Sequence, residues 1–495
     1  MRETVIYLMV VTTLVSWADI DSVEAQAKQY NVLFIISDDL NTTALSCYGS
    51  DVGITPHIDS LAAEGTLFSR AYCQFPVCMA SRISIMFGYY SNGLGKQGRR
   101  KDWRDQFGDN HSWPQHFMQS GYHTARVSKI FHMGVPGDIE IGADGEDDAP
   151  SWNERYNSVG PEWKAKGDGE TLENNLDGEK PVMGGYRFVV VEADGGDLEH
   201  SDGRTAAKAS ELLRKYSRNN EKFWLGVGFV RPHVPFVAPR KYFEPYVYEE
   251  MVLPEKVKGD WDDIPMAGIN YKTSHDMEFD IRRQKKIMGA YFASVSYMDA
   301  QVGKLLKTLK EEGMEDDTIV ILTSDHGYHL GEHDFWAKLG LREESVRVPL
   351  IIKVPGKKAA VCDSFAELVD LYPTISETCG LSVPERIQGK SLLKALDDPN
   401  FKVRDMAFST NSGYNFKTPV KRKGDGFLLR SERWAYIQYG EAAENGIELF
   451  DMHEDPKQYT NLAMNPAYRE TVEEFKSALA QKIAEIRDSD LLPSQ

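Results

Sequence analysis

The chain has 495 residues, 41% of them apolar, and a formal net charge of −18 at pH 7. That much apolar residue can bury a large core, which excludes a disordered chain and fits one large α/β domain with a smaller companion. The negative balance argues against a nucleic-acid partner. It leaves anion binding to a few Lys, Arg and His gathered in one pocket against the global field.

The N-terminus reads as an export signal: Arg2, an apolar run from Val5 to Trp17, then Val23-Glu24-Ala25 ahead of Gln26. Residues 1–25 are expected to be a signal peptide, with the mature chain periplasmic, extracellular or in another secretory compartment. The run is short for a bilayer span, and no later segment is long and apolar enough for one. Five cysteines, Cys47, Cys73, Cys78, Cys362 and Cys379, leave one over if the rest pair. Four allow three connectivities, and all four being free is an equal reading.

Residues 31–36 (NVLFII) form a short apolar, β-branched run, expected to be a buried strand of a mostly parallel sheet, ending at Ser37-Asp38-Asp39. Thr55-Pro56 marks a helix start, with Gly65 after its end. The same strand-then-polar pattern recurs at 124–127 before Ser128-Lys129, at 224–229 before Arg231-Pro232-His233, and at 318–322 before Ser324-Asp325-His326. In open α/β sheets ligands bind outside the carboxyl ends of the strands, so these polar residues are expected to converge on one crevice. Residues 78–87 read as a helix stopped by Gly88, which puts Cys78 beside free N–H groups and a positive dipole end. The stretches 134–203 and 253–278 have weak periodicity and read as long insertions over the functional edge. Residues 283–312 read as a packing helix. From about residue 400, strands at 426–430 and 434–439 and a helix over 466–487 form a small α+β unit.

Cys78-Met79-Ala80-Ser81-Arg82 resembles the sulfatase signature, in which the first residue is oxidised after synthesis to formylglycine. The companions are present: Asp38 and Asp39 after the first strand, and Ser324-Asp325-His326-Gly327 after a late one. The chain also resembles the iduronate 2-sulfatases, through CYG at 47–49, VCMASR at 77–82, SKIFH at 128–132, RPHVPF at 231–236, YFASVSYMDAQVG at 291–303 and SDHGYHLGEHDFWAK at 324–338. The resemblance runs from about residue 30 to 395 and continues more weakly through ELFDMHEDPKQYTNL at 448–462.

This resemblance implies an alkaline phosphatase-like α/β sandwich with a large, mostly parallel sheet, a catalytic domain over 26–395 and a C-terminal subdomain over 396–495. It implies a divalent cation, calcium or alternatively magnesium, held by Asp38, Asp39, Asp325, His326 and the matured Cys78. Oxygen-rich donors suit such hard cations. Attack by the hydrated aldehyde on sulfur, through a formylglycine sulfate ester, is the implied chemistry. Arg82 is expected to hold the formylglycine hydroxyl and His132 to assist release of sulfate. Lys129, His233 and Lys338 are expected to touch the sulfate oxygens, with His233 or Lys338 protonating the leaving oxygen. The implied partners are a sulfated oligosaccharide, a 2-sulfated uronate or an algal or glycosaminoglycan fragment, and a formylglycine-generating maturation enzyme. A phosphonate or phosphate ester hydrolase, or a binding protein without turnover, are the alternatives. Tyr328 and His329 stand where the iduronate enzymes carry Trp and Ala, which implies altered sugar recognition. His333 and Asp334 match no universal catalytic position. Arg99, Arg100, Trp103 and Arg104 form a cluster that either grips an acidic group of the substrate or is a solvated loop.

Overall fold

The computed structural model describes residues 28–90, 103–173, 187–411, 425–489 and 491. The expected signal segment, Arg99 and Arg100 lie outside them. The first strand, β1 (Asn31–Asp38), has all eight residues buried. Helix α1 (Pro56–Glu64) follows, with proline in its first turn, then β2 (Thr66–Phe68). Helix α2 (Cys78–Phe87) ends at Gly88 with φ 71°, the left-handed stop its glycine predicts. Next come β3 (His123–Ser128), β4 (Glu154–Tyr156), α3 (Ser201–Asn219) and β5 (Phe223–Pro232). The long helix α4 (Ile281–Glu311) is capped by Asp280, whose side chain accepts the Arg283 N–H. Strands β6 (Thr318–Ser324), β7 (Leu350–Lys353) and β8 (Ala360–Cys362) complete the main sheet.

That sheet has eight strands in the order β8-β2-β7-β6-β1-β5-β3-β4. Its pairings are parallel except those of β7, which runs against both neighbours. Side-chain alternation along β1 explains the sandwich. Val32, Phe34 and Ile36 enter one core with Ile83 and Phe87 of α2. Leu33 and Ile35 enter another with Ile58 of α1, Leu212 of α3 and Ile287 of α4. Burial on both faces keeps β1 apolar from Val32 to Ile36, which is why that stretch is legible as a continuous run.

Strands β6, β1, β5 and β3 are adjacent and parallel, so their carboxyl ends form one rim. The β1–β5 register shifts between Ile36 and Asp38, and such an irregularity re-aims the side chains that follow.

Four antiparallel strands, β9 (Met406–Asn411), β10 (Gly426–Ser431), β11 (Trp434–Tyr439) and β12 (Ile447–Asp451), form a second sheet. One face, with Leu428, Ile437 and Phe450, joins the core containing α2. The other, with Phe427, Leu429 and Tyr436, is covered by Val472, Phe475 and Leu479 of α5 (Arg469–Arg487). The insertion at 134–203 is less irregular than its sequence implies. It supplies β4 and a pair of strands, Gly167–Thr171 and Val189–Ala193, the first rich in Gly and acids and the second nearly all apolar, so that neither alternates. Among the described residues no helix is long and apolar enough to cross a membrane, and all five cysteines are free.

A buried ion cluster ties the second sheet to the segment 367–370. Arg404 donates to Asp370 at 2.6 Å and lies 3.3 Å from Glu367, which also accepts the Phe408 N–H of β9 at 2.7 Å. Removing one partner of such a set leaves uncompensated buried charge, worth about 3–5 kcal/mol. Arg404→Met is expected to lose that much stability in urea unfolding, and a midpoint equal to the parent's would refute the role given to the cluster.

Candidate active site

The rim carries the polar residues that the strand-end pattern predicts. Cys78, in the first turn of α2, is 3% exposed. Lys338 Nζ lies 3.1 Å from its Sγ and 2.7 Å from Asp39 Oδ1. His326 Nε2 lies 3.5 Å from the same sulfur and 3.4 Å from Asp39 Oδ1. Lys129 Nζ is 2.5 Å from Asp38 Oδ2, an ion-pair distance whose alignment does not make a hydrogen bond. His233 Nε2 faces Asp39 Oδ2 at 3.9 Å. Lys129, His132, His233 and Lys338 all act electrostatically on the Cys78 sulfur. Residues between 38 and 338 in sequence thus meet at one point.

Local structure aims each group. Asp39 (φ 65°), Ser128 before Lys129 (φ 61°), and Ala337 (φ 66°) and Leu339 (φ 79°) on either side of Lys338 have left-handed backbone without being glycine. Such strain persists only where the surroundings enforce it, and it clusters at functional sites. The Nδ1 atoms of His326 and His233 face the carbonyls of Gly327 and Val234, at 2.9 and 2.5 Å. Each Nε2 is thereby turned toward the site.

The electrostatics suit an anion. Burial alone would raise the Cys78 thiol, but Lys338 and Lys129, helped by His132 and His233, pull it well below its ordinary value. Against burial and the neighbouring sulfur, Lys129, His233 and Lys338 hold the Asp38 carboxyl below the usual carboxylate range. Burial drives Asp325 upward despite Arg82. Against burial, Asp325 holds His326 up to about 9.

A metal fits this donor set. One ligand atom each from Asp38, Asp39, Cys78 and His326 lie within 4.8 Å of one another. Both Asp38 oxygens and Asp39 Oδ2 are buried without a hydrogen-bond partner, a costly state that a cation would relieve. Asp325 borders the group, its Oδ1 3.6 Å from His326 Nε2. A divalent cation here would take the place of the proton that Asp325 favours on His326.

Arg82 lies at the floor of the rim. Fully buried, it donates Nε to Asp325 Oδ2 at 2.7 Å, Nη1 to the Lys129 and Ile130 carbonyls, and Nη2 to the Ser37 carbonyl at 3.3 Å. Its nitrogens reach three strand ends at once, a span that a guanidinium fork can make and an ammonium cannot. Trp103 packs against Phe87 and Phe131, and Arg104 binds Asp148 and the Gly108 and Asn110 carbonyls. These two are core and strut, neither a substrate grip nor a solvated loop. His333 pairs with Asp260 at 3.0 Å, and Asp334 with Lys256 at 2.8 Å. His329 is fully buried, and Tyr328 stacks on Tyr291 at 5.5 Å. Sequence reasoning missed Tyr291, whose hydroxyl donates to the Asp39 carbonyl at 2.6 Å and accepts the Asn41 N–H at 2.8 Å. Its place at the head of the YFASVSYMD segment was the available signal.

An alkaline phosphatase-like sheet with a basic rim, a carboxylate cluster and a buried cysteine at a helix N-terminus fits a hydrolase of anionic esters. A sulfatase family model matches residues 30–381, and an N-sulphoglucosamine sulphohydrolase C-terminal model matches residues 331–485. The chain is 30% identical over 472 residues to a sulfatase of Formosa agariphila, covering 92% of this chain and 87% of that one. It is 32% identical over 440 residues to the iduronate 2-sulfatase of Homo sapiens, covering 76% and 74%. A phosphonate monoester hydrolase structure from Silicibacter pomeroyi superposes with a TM-score of 0.74 at 20% identity, over 92% of this chain and 96% of that one, a likeness of fold. The chain belongs to the sulfatase family and is a sulfuric ester hydrolase. That family uses formylglycine and a metal.

Arg82→Ala strands Asp325 and is expected to cost about 3–5 kcal/mol, with Arg82→Lys in between because an ammonium cannot bridge the same acceptors. Denaturant titration checks this, and an unchanged midpoint for Arg82→Ala contradicts it.

Proposed function

We propose that the chain removes sulfate from a sulfated carbohydrate, a 2-sulfated uronate or an algal or glycosaminoglycan fragment, using Cys78 matured to formylglycine. The observation that carries this reading is the placement of Lys338 between Cys78 Sγ and Asp39 Oδ1, in a pocket that stabilises negative charge on residue 78. The uronate preference rests on the similarity to iduronate 2-sulfatase. The cation is read as calcium, with magnesium as the alternative, because the carboxylates offer hard oxygen donors.

Cys78 Sγ stands in for the oxygens of the matured residue. Formylglycine supplies a hydrated aldehyde with one hydroxyl for attack on sulfur and a second for releasing sulfate, and a divalent cation at Asp38, Asp39, Asp325 and His326 supplies positive charge beside it. Lys129 and Lys338 neutralise the sulfate oxygens as negative charge grows on them, an effect large in a dry site. His233 or Lys338 gives a proton to the departing sugar oxygen. His132, with its Nδ1 buried and lacking a hydrogen-bond partner, accepts the proton from residue 78 that allows sulfate to leave. Arg82 holds Asp325 in place rather than touching substrate.

Residues 1–25 are read as a removed export signal and 26–395 as the catalytic domain, with 396–495 as a C-terminal subdomain. Maturation then requires a formylglycine-generating enzyme encountered before or during export.

Sulfate release by matured protein is expected from defined 2-sulfated uronate oligosaccharides, with Cys78→Ala inactive. Release only from sulfated galactans would discard the uronate preference. Faster turnover of phosphonate or phosphate monoesters would favour the phosphoester reading, and no release with formylglycine confirmed by mass spectrometry would favour a binding protein. Exhaustive chelation is expected to abolish release and calcium or magnesium to restore it, whereas activity in metal-stripped protein would contradict the proposed centre.

A further inference from the structure

Lys338 sits on an arm held by the C-terminal sheet. Ala337 and Leu339, at φ 66° and 79°, flank it with backbone that L-residues rarely adopt, and such a conformation lasts only under external restraint. The restraint comes from the C-terminal sheet. Asn411, the last residue of β9 and 2% exposed, donates Nδ2 to the Leu339 carbonyl at 2.6 Å. Its Oδ1 accepts the Gly426 N–H at 3.1 Å, which fixes the way the amide faces. A Cβ on Gly426 would stand 2.4 Å from that Oδ1, so only glycine lets the amide sit where it does.

The rest of the arm is gripped by the same unit. Arg342 donates to Glu448 of β12 at 2.6 Å, and the Glu343 N–H donates to Gln458 Oε1 at 3.1 Å. At the other end, Lys338 Nζ is spread between Asp39 and Cys78.

We propose that Asn411 is a positioning residue: by clamping the Leu339 carbonyl it sets the backbone from which Lys338 reaches the sulfate, so the C-terminal sheet completes the active site. This rests on the reading of Lys338 as a sulfate contact. A strand-end asparagine that only satisfied its neighbours would affect stability but leave turnover per folded molecule intact. A misplaced catalytic group can cost up to about 100-fold in rate even when the substitution lies away from the chemistry.

The test uses full-length matured protein with 4-nitrophenyl sulfate as probe, at a temperature where circular dichroism shows every variant folded. Asn411→Asp turns a donor into an acceptor facing a carbonyl, and Gly426→Ala presses on the same amide from behind. Val472→Ala, in α5 on the opposite face of the sheet, controls for lost stability. Asn411→Asp and Gly426→Ala are expected to lower kcat about 10- to 100-fold with little change in KM, while Val472→Ala lowers Tm and leaves kcat near the parent's. A folded Asn411→Asp or Gly426→Ala with parental kcat overturns the proposal, as does kcat falling in step with Tm across all three. Lys338→Ala separates the two levels. If it turns over like the parent, the role of Lys338 fails and this inference with it. If it is inactive while both clamp variants are not, only the clamp fails.

Discussion

Three buried carboxylates, Asp38, Asp39 and Asp325, and three buried cations, Arg82, Lys129 and Lys338, share one rim. A lone charge so far from water costs several kcal/mol, and each is tolerable only because the others are present. They come from the ends of β1, β3 and β6, from α2 and from the 338 arm. Their mutual dependence therefore fixes how the sheet, the helix and the arm meet. It also explains how a chain of net charge −18 can receive an anion: the field that matters is that of a dry crevice, not that of the surface.

The division of labour follows from topology. Parallel strands buried on both faces supply a rigid floor, and the irregular pairing beyond Ile36 turns two consecutive aspartates into the crevice. Helix α2 brings residue 78, the proposed nucleophile, with its dipole already directed at a negative charge. The second sheet, which shares core with α2 on one face and carries α5 on the other, backs the arm from which Lys338 projects. The family model for the C-terminal region begins at residue 331, ahead of that lysine, so the arm is as much a part of the second unit as of the first.

Most of this site was legible because its chemistry is local in sequence. A strand apolar on both faces reads as an unbroken run, and acids or bases directly after it sit at a strand end. The Cys78 to Arg82 segment also carries its own helix signal. The placement of Arg82 was not legible, since its partners are Asp325 and backbone carbonyls from two other strand ends, and carbonyls leave no trace in a motif. Arg104 and Trp103 read as surface because charge and aromatic character alone do not reveal Asp148 or the Phe87 ring beside them. Strand Glu154–Tyr156 escaped because an edge strand of three polar or aromatic residues has no alternation to detect. Asn411 had no signal at all: its meaning lies in a carbonyl 72 positions away.

The central claim is that residue 78, as formylglycine in this crevice, performs the ester cleavage. Preparations matured to different extents, with the formylglycine fraction at residue 78 measured by peptide mass spectrometry, give the most direct test. The account predicts an initial rate of sulfate release proportional to that fraction and extrapolating to zero for the unmodified thiol. Equal rates from converted and unconverted protein would contradict it.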